Sequence, residues 1–168
     1  MTFMKKMNFI FLGVITLSIL LLLISWYKEY KFDNNPISDE INHKITKKSF
    51  EIRELIKKRY KINLDIPVLI TDKVSSKLFG ATTYDSKTKK IVIYLNKKRF
   101  KESLSYMIDD VIPHEYAHAL MFKFGLFPKK NGGHTKKWQN ICRNLNGKRC
   151  DRFVNHNDIL IDKTKLFY

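Results

Sequence analysis

The chain has 168 residues, enough for one ordinary domain with its own core, and its 32 Lys and Arg against 16 Asp and Glu give a net charge of +16. A hydrophobic share of 44% excludes a disordered basic tail, and two cysteines exclude both a zinc ribbon and the disulfide framework of small secreted domains. The sequence has no internal repeat, Gly-rich phosphate loop or Gly-x-Ser-x-Gly elbow, which argues against repeat scaffolds, P-loop NTPases and serine hydrolases of that type.

The first predicted element is a membrane-spanning helix over residues 7–27, preceded by a short tail at 1–6. The segment has no charged residue, and at about 1.5 Å per residue it spans roughly 30 Å, the thickness of a hydrocarbon core. Trp26 and Tyr27 lie where an interfacial aromatic belt is expected. A cleaved signal peptide is the alternative, but no small-x-small cleavage site follows the apolar run. We expect a single-pass membrane anchor, with the side of the body undetermined and a weak bias toward the cytoplasm.

A polar linker is predicted at 28–37, and the remaining body occupies 38–168. The Asn-Pro pair that ends at Pro36 marks a break in regular structure. Ser38 is placed to cap a helix over 38–60, whose isoleucines and leucine form an apolar stripe at helical spacing.

Strands and two further helices complete the predicted body. Alternating apolar residues predict three strands, at 63–70, 77–84 and 91–95. A helix over 103–124 contains Pro113, which is expected to kink or restart it. A last helix over 134–146 is predicted to end at Gly147, and Ile159–Ile161 in the tail is a possible short strand. This order of elements predicts an α+β domain with a small antiparallel sheet.

The residues that carry chemistry are His114, Glu115 and His118, which form an HExxH sequence on the second of these helices. Because a helix has 3.6 residues per turn, positions i and i+4 share a face, and both imidazoles can bind one metal ion. Zinc favours nitrogen ligands. Glu115 is about 100° around the helix axis from His114, so its carboxylate can act on a zinc-bound water without binding the metal. Two surface histidines on a polar helix are the alternative, but the flanking residues are apolar.

A third metal ligand has to come from elsewhere in the chain. A downstream glutamate ligand is impossible because no Glu follows Glu115, and the metzincin pattern fails because Met121 and Phe124 replace its Gly and His. The best candidate is His134, which starts the apolar stripe of the last helix and follows two glycines. Capping of that helix is the alternative role for His134. The remaining downstream candidates are Asp151, His156, Asp158 and Asp162, whereas His43 is interpreted as a surface residue and Cys142 as a core residue.

These residues resemble a known family. The runs DDVIPHEYAHALMFKFG and NGGHTKKWQNICRNLNG, together with the hairpin GATTYDSKTKKIVIYLN, are similar to the SprT-like zinc metallopeptidases. The resemblance covers roughly residues 38–147 and implies a compact zincin-like α+β fold. It also implies that His114, His118 and His134 hold Zn²⁺ and that Glu115 is the general base. The chain differs from bacterial SprT by its predicted membrane span and by having no cysteine-rich zinc ribbon.

Two functions from different classes follow from these observations. The first is a membrane-anchored zinc metallopeptidase that hydrolyses a polypeptide substrate, with Tyr84, Tyr116 and Arg152 as candidates to steady the oxyanion or, alternatively, as packing or surface residues. The second is a non-enzymatic, zinc-stabilised basic module that binds nucleic acid or an anionic membrane surface. The sequence carries no specific nucleic-acid-binding signature. It leaves open the protein substrate, any activation by DNA, the oligomeric state and whether Cys142 pairs with Cys150.

Overall fold

The computed structural model of the protein describes residues 3–127 and 131–152, which form two compact units divided after Ile37. The first unit contains helix α1, Phe3–Asn34. This helix is long and apolar enough to cross a membrane, and its most apolar 18-residue window has a mean hydropathy of 2.6. A signal sequence meets the same criteria of length and composition.

Helix α1 extends further than the predicted spanning segment. The segment predicted as a polar linker at 28–37 is helical up to Asn34. The physical reason is that residues 28–34 contain no helix breaker, whereas Pro36 disfavours the helical conformation of Asn35. The break is therefore confined to the Asn-Pro pair.

The second unit begins with helix α2, Asp39–Tyr60, as predicted. The Ser38 hydroxyl caps it by accepting a hydrogen bond from the Ile41 amide at 3.5 Å. One face of the helix is buried, and it carries Ile45, Ser49, Ile52 and Ile56. The apolar stripe read from the sequence is thus the face that packs on the rest of the unit.

The sheet has three strands, β1 (Val68–Thr71), β2 (Gly80–Tyr84) and β3 (Ile91–Asn96), in the order β1-β3-β2. Strand β3 pairs antiparallel with β2, as the hairpin pattern predicts, but parallel with β1. The prediction of an antiparallel sheet is therefore wrong for β1, and the sheet is mixed. The physical reason is that β3, with Ile91, Ile93 and Leu95 buried, takes the centre of the sheet, so β1 and β2 pair with its two opposite edges. The chain reverses direction between β1 and β2 and again in the hairpin, which leaves β1 parallel to β3.

The first predicted strand, 63–70, is also shorter than expected. Leu64 and Ile66 are buried in extended chain, but the ladder begins only at Val68. Pro67 has no amide hydrogen to donate, although its carbonyl accepts a hydrogen bond from the Ile93 amide at 3.0 Å. At Leu64 and Ile66 the alternation of apolar residues therefore reflects burial and not strand pairing.

The helix predicted over 103–124 is divided into three parts. A short helix α3, Leu104–Tyr106, is capped by Ser103 and leads into a π-helical turn at Met107–Val111. Helix α4, Ile112–Lys123, follows with Pro113 in its first turn, where a missing amide hydrogen is tolerated. The predicted irregularity at Pro113 therefore takes the form of a wide turn just before it.

Helix α4 lies at the centre of the second unit. It packs against β2 and β3 on the sheet and against α2 and α5, which is the last described helix, Lys136–Asn144. Ile112, Tyr116 and Leu120 are fully buried among these elements. Since α4 carries the HExxH sequence, the core of the unit fixes the orientation of the predicted site.

A disulfide between Cys142 and Cys150 fastens the segment that follows α5. Both cysteines are buried, which agrees with the prediction that Cys142 is a core residue. Gly147 packs against the disulfide, where a Cβ would come within 2.7 Å of Cys142 Sγ and 3.0 Å of Cys150 Sγ. Only glycine fits this close approach. The possible strand at Ile159–Ile161 lies outside the described residues.

Candidate metal centre

The first turns of α4 place His114 and His118 on one face of the helix, as the i, i+4 spacing predicts. Their Nε2 atoms are 3.2 Å apart. Burial, followed by the neighbouring imidazoles, lowers the pKa of His114 well below its ordinary value, and the pKa of His118 falls to about 3 for the same reasons. Both rings are therefore neutral at pH 7 and have a nitrogen lone pair available for a metal.

His134 joins this pair from outside any helix. It follows a turn at Asn131–Gly133 in which Gly132 and Gly133 have φ values of 57° and 90°, a conformation that favours glycine. The N-cap of α5 is Thr135, whose hydroxyl accepts a hydrogen bond from the Trp138 amide at 3.2 Å. His134 therefore does not cap the helix, and the alternative role considered for it is wrong.

The three imidazoles form a compact triangle of nitrogen atoms. The Nε2 of His134 lies 3.0 Å from that of His114 and 3.2 Å from that of His118. Nitrogen ligands at 2.0–2.1 Å in tetrahedral geometry are about 3.3 Å apart, so three donors at this spacing fit zinc. Three neutral imidazoles are also a donor set that zinc prefers.

The indole ring of Trp138 packs against all three imidazoles. Trp138 is fully buried, and its ring centroid lies 4.6 Å from that of His114, 5.1 Å from that of His118 and 4.5 Å from that of His134. A rigid ring in contact with all three imidazoles limits their rotation, and this preorganises the donor set.

Glu115 is buried beside the triangle. Its Oε2 accepts a hydrogen bond from the Thr82 hydroxyl at 2.7 Å, so strand β2 contacts the carboxylate directly. Burial raises the pKa of Glu115 to about 7, and the hydrogen bond from Thr82 opposes that rise. A carboxyl group with this pKa can both accept and release a proton near neutral pH.

Comparison with known proteins agrees with this geometry. A sequence model of the SprT-like family matches residues 35–159, which is well over half of the chain. The chain belongs to the SprT-like family. Neither a curated protein nor a solved structure matches it. The resemblance noted from the runs that contain HExxH and His134 is thereby confirmed at the level of the family.

The SprT-like domain has a cleft of about 690 Å³ in front of the triangle. The three histidines and Glu115 line it together with residues of β2, the π-helical turn and the segment after α5. These last residues are Arg149, Asp151 and Arg152. The volume of the cleft lies within the range usual for ligand-binding clefts.

The other candidates proposed from sequence that the structure describes do not belong to the histidine cluster. His43 is exposed on α2, and Asp151 lines the cleft but does not belong to the histidine cluster. Tyr116 is fully buried and lines a separate cavity of about 340 Å³, so the suggestion that it faces an oxyanion is wrong. Tyr84 stacks on Phe122, with 5.6 Å between ring centroids. Arg152 does line the cleft, whereas His156, Asp158 and Asp162 lie outside the described residues.

Two contributors to the site were not identified from sequence. Thr82 lies in the hairpin run GATTYDSKTKKIVIYLN, but it is 33 residues from Glu115 and nothing in that run indicates a contact with the carboxylate. Trp138 lies in the run NGGHTKKWQNICRNLNG that carries the family resemblance. Its contact with all three imidazoles depends on how α4 and α5 pack.

Proposed function

We propose that this SprT-like protein is a zinc-dependent metallopeptidase. The observation that carries the proposal is the triangle of three Nε2 atoms, 3.0–3.2 Å apart, beside a buried carboxylate in a cleft. A histidine triad alone would fit a structural metal site. The adjacent Glu115 and the cleft favour hydrolysis, because a catalytic zinc site needs an open position and a base.

The side chains divide the chemistry between them. His114, His118 and His134 would hold zinc, whose Lewis acidity polarises a peptide carbonyl and makes water more acidic. Glu115 accepts a proton from the attacking water at its carboxylate and then delivers that proton to the leaving amine nitrogen. Strand β2 is an edge of the sheet beside the cleft, so an extended polypeptide could hydrogen-bond along Gly80–Tyr84.

Removal of the metal tests this function directly. We expect the full-length, zinc-loaded protein in detergent to cleave an unfolded polypeptide such as casein. Dialysis against a chelator should abolish cleavage, and one equivalent of zinc should restore it, because three imidazoles hold a single ion. The fragments are followed by gel electrophoresis and mass spectrometry. Cleavage that persists after the zinc content has fallen to zero would contradict the proposal.

We propose further that α1 anchors the protein in a membrane and that the body lies on the side away from the cytoplasm. The support for the anchor is the length and apolar composition of α1. The support for the side is the Cys142–Cys150 disulfide, because disulfides persist in oxidising compartments and are rare in the cytoplasm. This observation outweighs the weak charge bias toward a cytoplasmic body, since large domains translocate despite their charge.

Intact cells that express the protein provide the test of its location. We expect added protease to digest the body without cell lysis. After free thiols have been blocked, we also expect reduction of the Cys142–Cys150 disulfide to change the mobility of the protein on a gel. A Cys142→Ala/Cys150→Ala variant is the matched control and should show no such change. Protection of the body until lysis would place it in the cytoplasm. The N-terminal sequence of the mature protein separates an anchor from a removed signal peptide.

The alternative function is a non-enzymatic basic module that binds nucleic acid or an anionic membrane surface. The net charge of +16 favours it, since such a charge attracts any polyanion. The metallopeptidase proposal accounts for more of the site, because a binding module has no need for a buried carboxylate beside the three imidazoles.

A further inference from the structure

Alternate residues of strand β2 contact helix α4, through a close backbone approach, a hydrogen bond and a ring stack. Gly80, Thr82 and Tyr84 share one face of the strand because side chains alternate along it. Gly80 lies against Glu115, Thr82 hydrogen-bonds Glu115, and Tyr84 stacks on Phe122 further along α4. Strand β2 therefore packs on α4 from Glu115, the proposed base, to Phe122.

The contact at Gly80 depends on the missing side chain. A Cβ on this residue would lie 2.9 Å from Glu115 Oε1 and 3.0 Å from Glu115 Cγ. The backbone of β2 therefore borders the carboxylate directly and restricts its rotation. Any larger residue here would displace either the strand or the side chain of Glu115.

The contact at Thr82 fixes the other carboxylate oxygen. The Thr82 hydroxyl lies 2.7 Å from Glu115 Oε2 and 3.0 Å from the Glu115 carbonyl oxygen. Its single proton goes to the carboxylate, which is nearer and carries the charge. Among the residues that the structure describes, no other group donates a hydrogen bond to this carboxylate, so its orientation depends on the Thr82 hydroxyl.

We propose that Thr82 is a positioning residue that holds the Glu115 carboxylate in the orientation needed for proton transfer, with Gly80 providing the space. The inference rests on the proposed metallopeptidase function. Thr82 is not one of the clustered nitrogen donors and acts through Glu115, so its loss should affect turnover and not zinc binding. A base that can rotate freely spends less time in reach of the attacking water.

Substitutions at position 82 in the full-length, zinc-loaded protein test the inference. Thr82→Val keeps the shape of the side chain and removes the hydroxyl, and we expect kcat to fall by about 10- to 100-fold with KM and zinc content unchanged. Thr82→Ser keeps the hydroxyl and should restore most of the activity. Thr46→Val is the matched control, because Thr46 is exposed on α2, does not line the cleft, and donates its hydroxyl to the Asn42 carbonyl instead.

The outcomes separate this inference from the function on which it rests. If the wild type cleaves casein and Thr82→Val does so at the same kcat, the positioning role is wrong and the peptidase function stands. If the wild type binds zinc and cleaves nothing, the function fails and the inference falls with it. Should Thr82→Val not fold, Thr82→Ala replaces it in the same comparison. A crystal structure of the variant should show the Glu115 carboxylate rotated, and an unmoved carboxylate would also overturn the inference.

Discussion

Replacing Glu115 with Gln is expected to lower kcat for peptide hydrolysis by about 10²- to 10⁴-fold, the range lost when a general base is removed. Gln has nearly the same shape, and its amide oxygen can still accept the hydrogen bond from Thr82, but it cannot accept a proton. The variant should bind zinc as well as the wild type does, because Glu115 is not one of the three nitrogen donors. Initial rates on casein and zinc content by atomic absorption measure the two effects separately.

The same substitution should not destabilise the fold. Burial raises the pKa of Glu115 to about 7, which means that the ionised side chain is disfavoured at this position. A neutral amide avoids that cost, so thermal unfolding should occur at the same temperature as in the wild type or above it. Glu51→Gln is the matched control, since Glu51 is exposed on α2 and should leave both rate and stability unchanged. Full activity of Glu115→Gln would favour the non-enzymatic alternative.

Replacing His134 with Ala should weaken zinc binding by more than about 100-fold, a larger effect than the 10- to 100-fold typical of residues that only support a ligand. Two nitrogen donors would remain on α4, and they do not complete a tetrahedral site. Activity should be lost with the metal. Isothermal titration of the apoprotein with zinc measures the affinity, and one zinc per chain is expected for the wild type.

His43→Ala is the matched control for this measurement. His43 is exposed on α2 and is not one of the clustered histidines, so its loss should leave zinc stoichiometry and affinity unchanged. If His134→Ala retained one tightly bound zinc, the third donor would have to be another residue. The triangle of Nε2 atoms would then not represent the metal site.

The helices of the body were predictable because their signals are local. Ser38 and the isoleucine stripe define α2, and Pro113 marks where α4 restarts. The strand order was not predictable, because nothing in a hairpin pattern tells which edge an earlier strand will join. The burial of Ile91, Ile93 and Leu95 places β3 in the centre, and that choice depends on competition among all three strands.

The residues of the site likewise divide into those that local sequence predicts and those that depend on packing. His114, Glu115 and His118 are set by helical spacing alone, whereas His134 enters the site from a separate segment of the chain. Two preceding glycines and the apolar stripe of the last helix made His134 a good candidate without fixing its position. The Thr82 hydrogen bond and the Cys142–Cys150 disulfide depend on how the elements pack. These contacts become visible only when the distances between the elements are known.

The contact between Trp138 and the three imidazoles gives the protein an internal optical reporter. The chain has two tryptophans, and the other, Trp26, lies on helix α1. Replacing Trp26 with Phe leaves a single emitting indole, whose ring is about 5 Å from each proposed ligand. Cobalt, which absorbs visible light when bound by nitrogen ligands, should quench this fluorescence as it fills the site. Occupancy of the site can then be followed in real time, without any substrate.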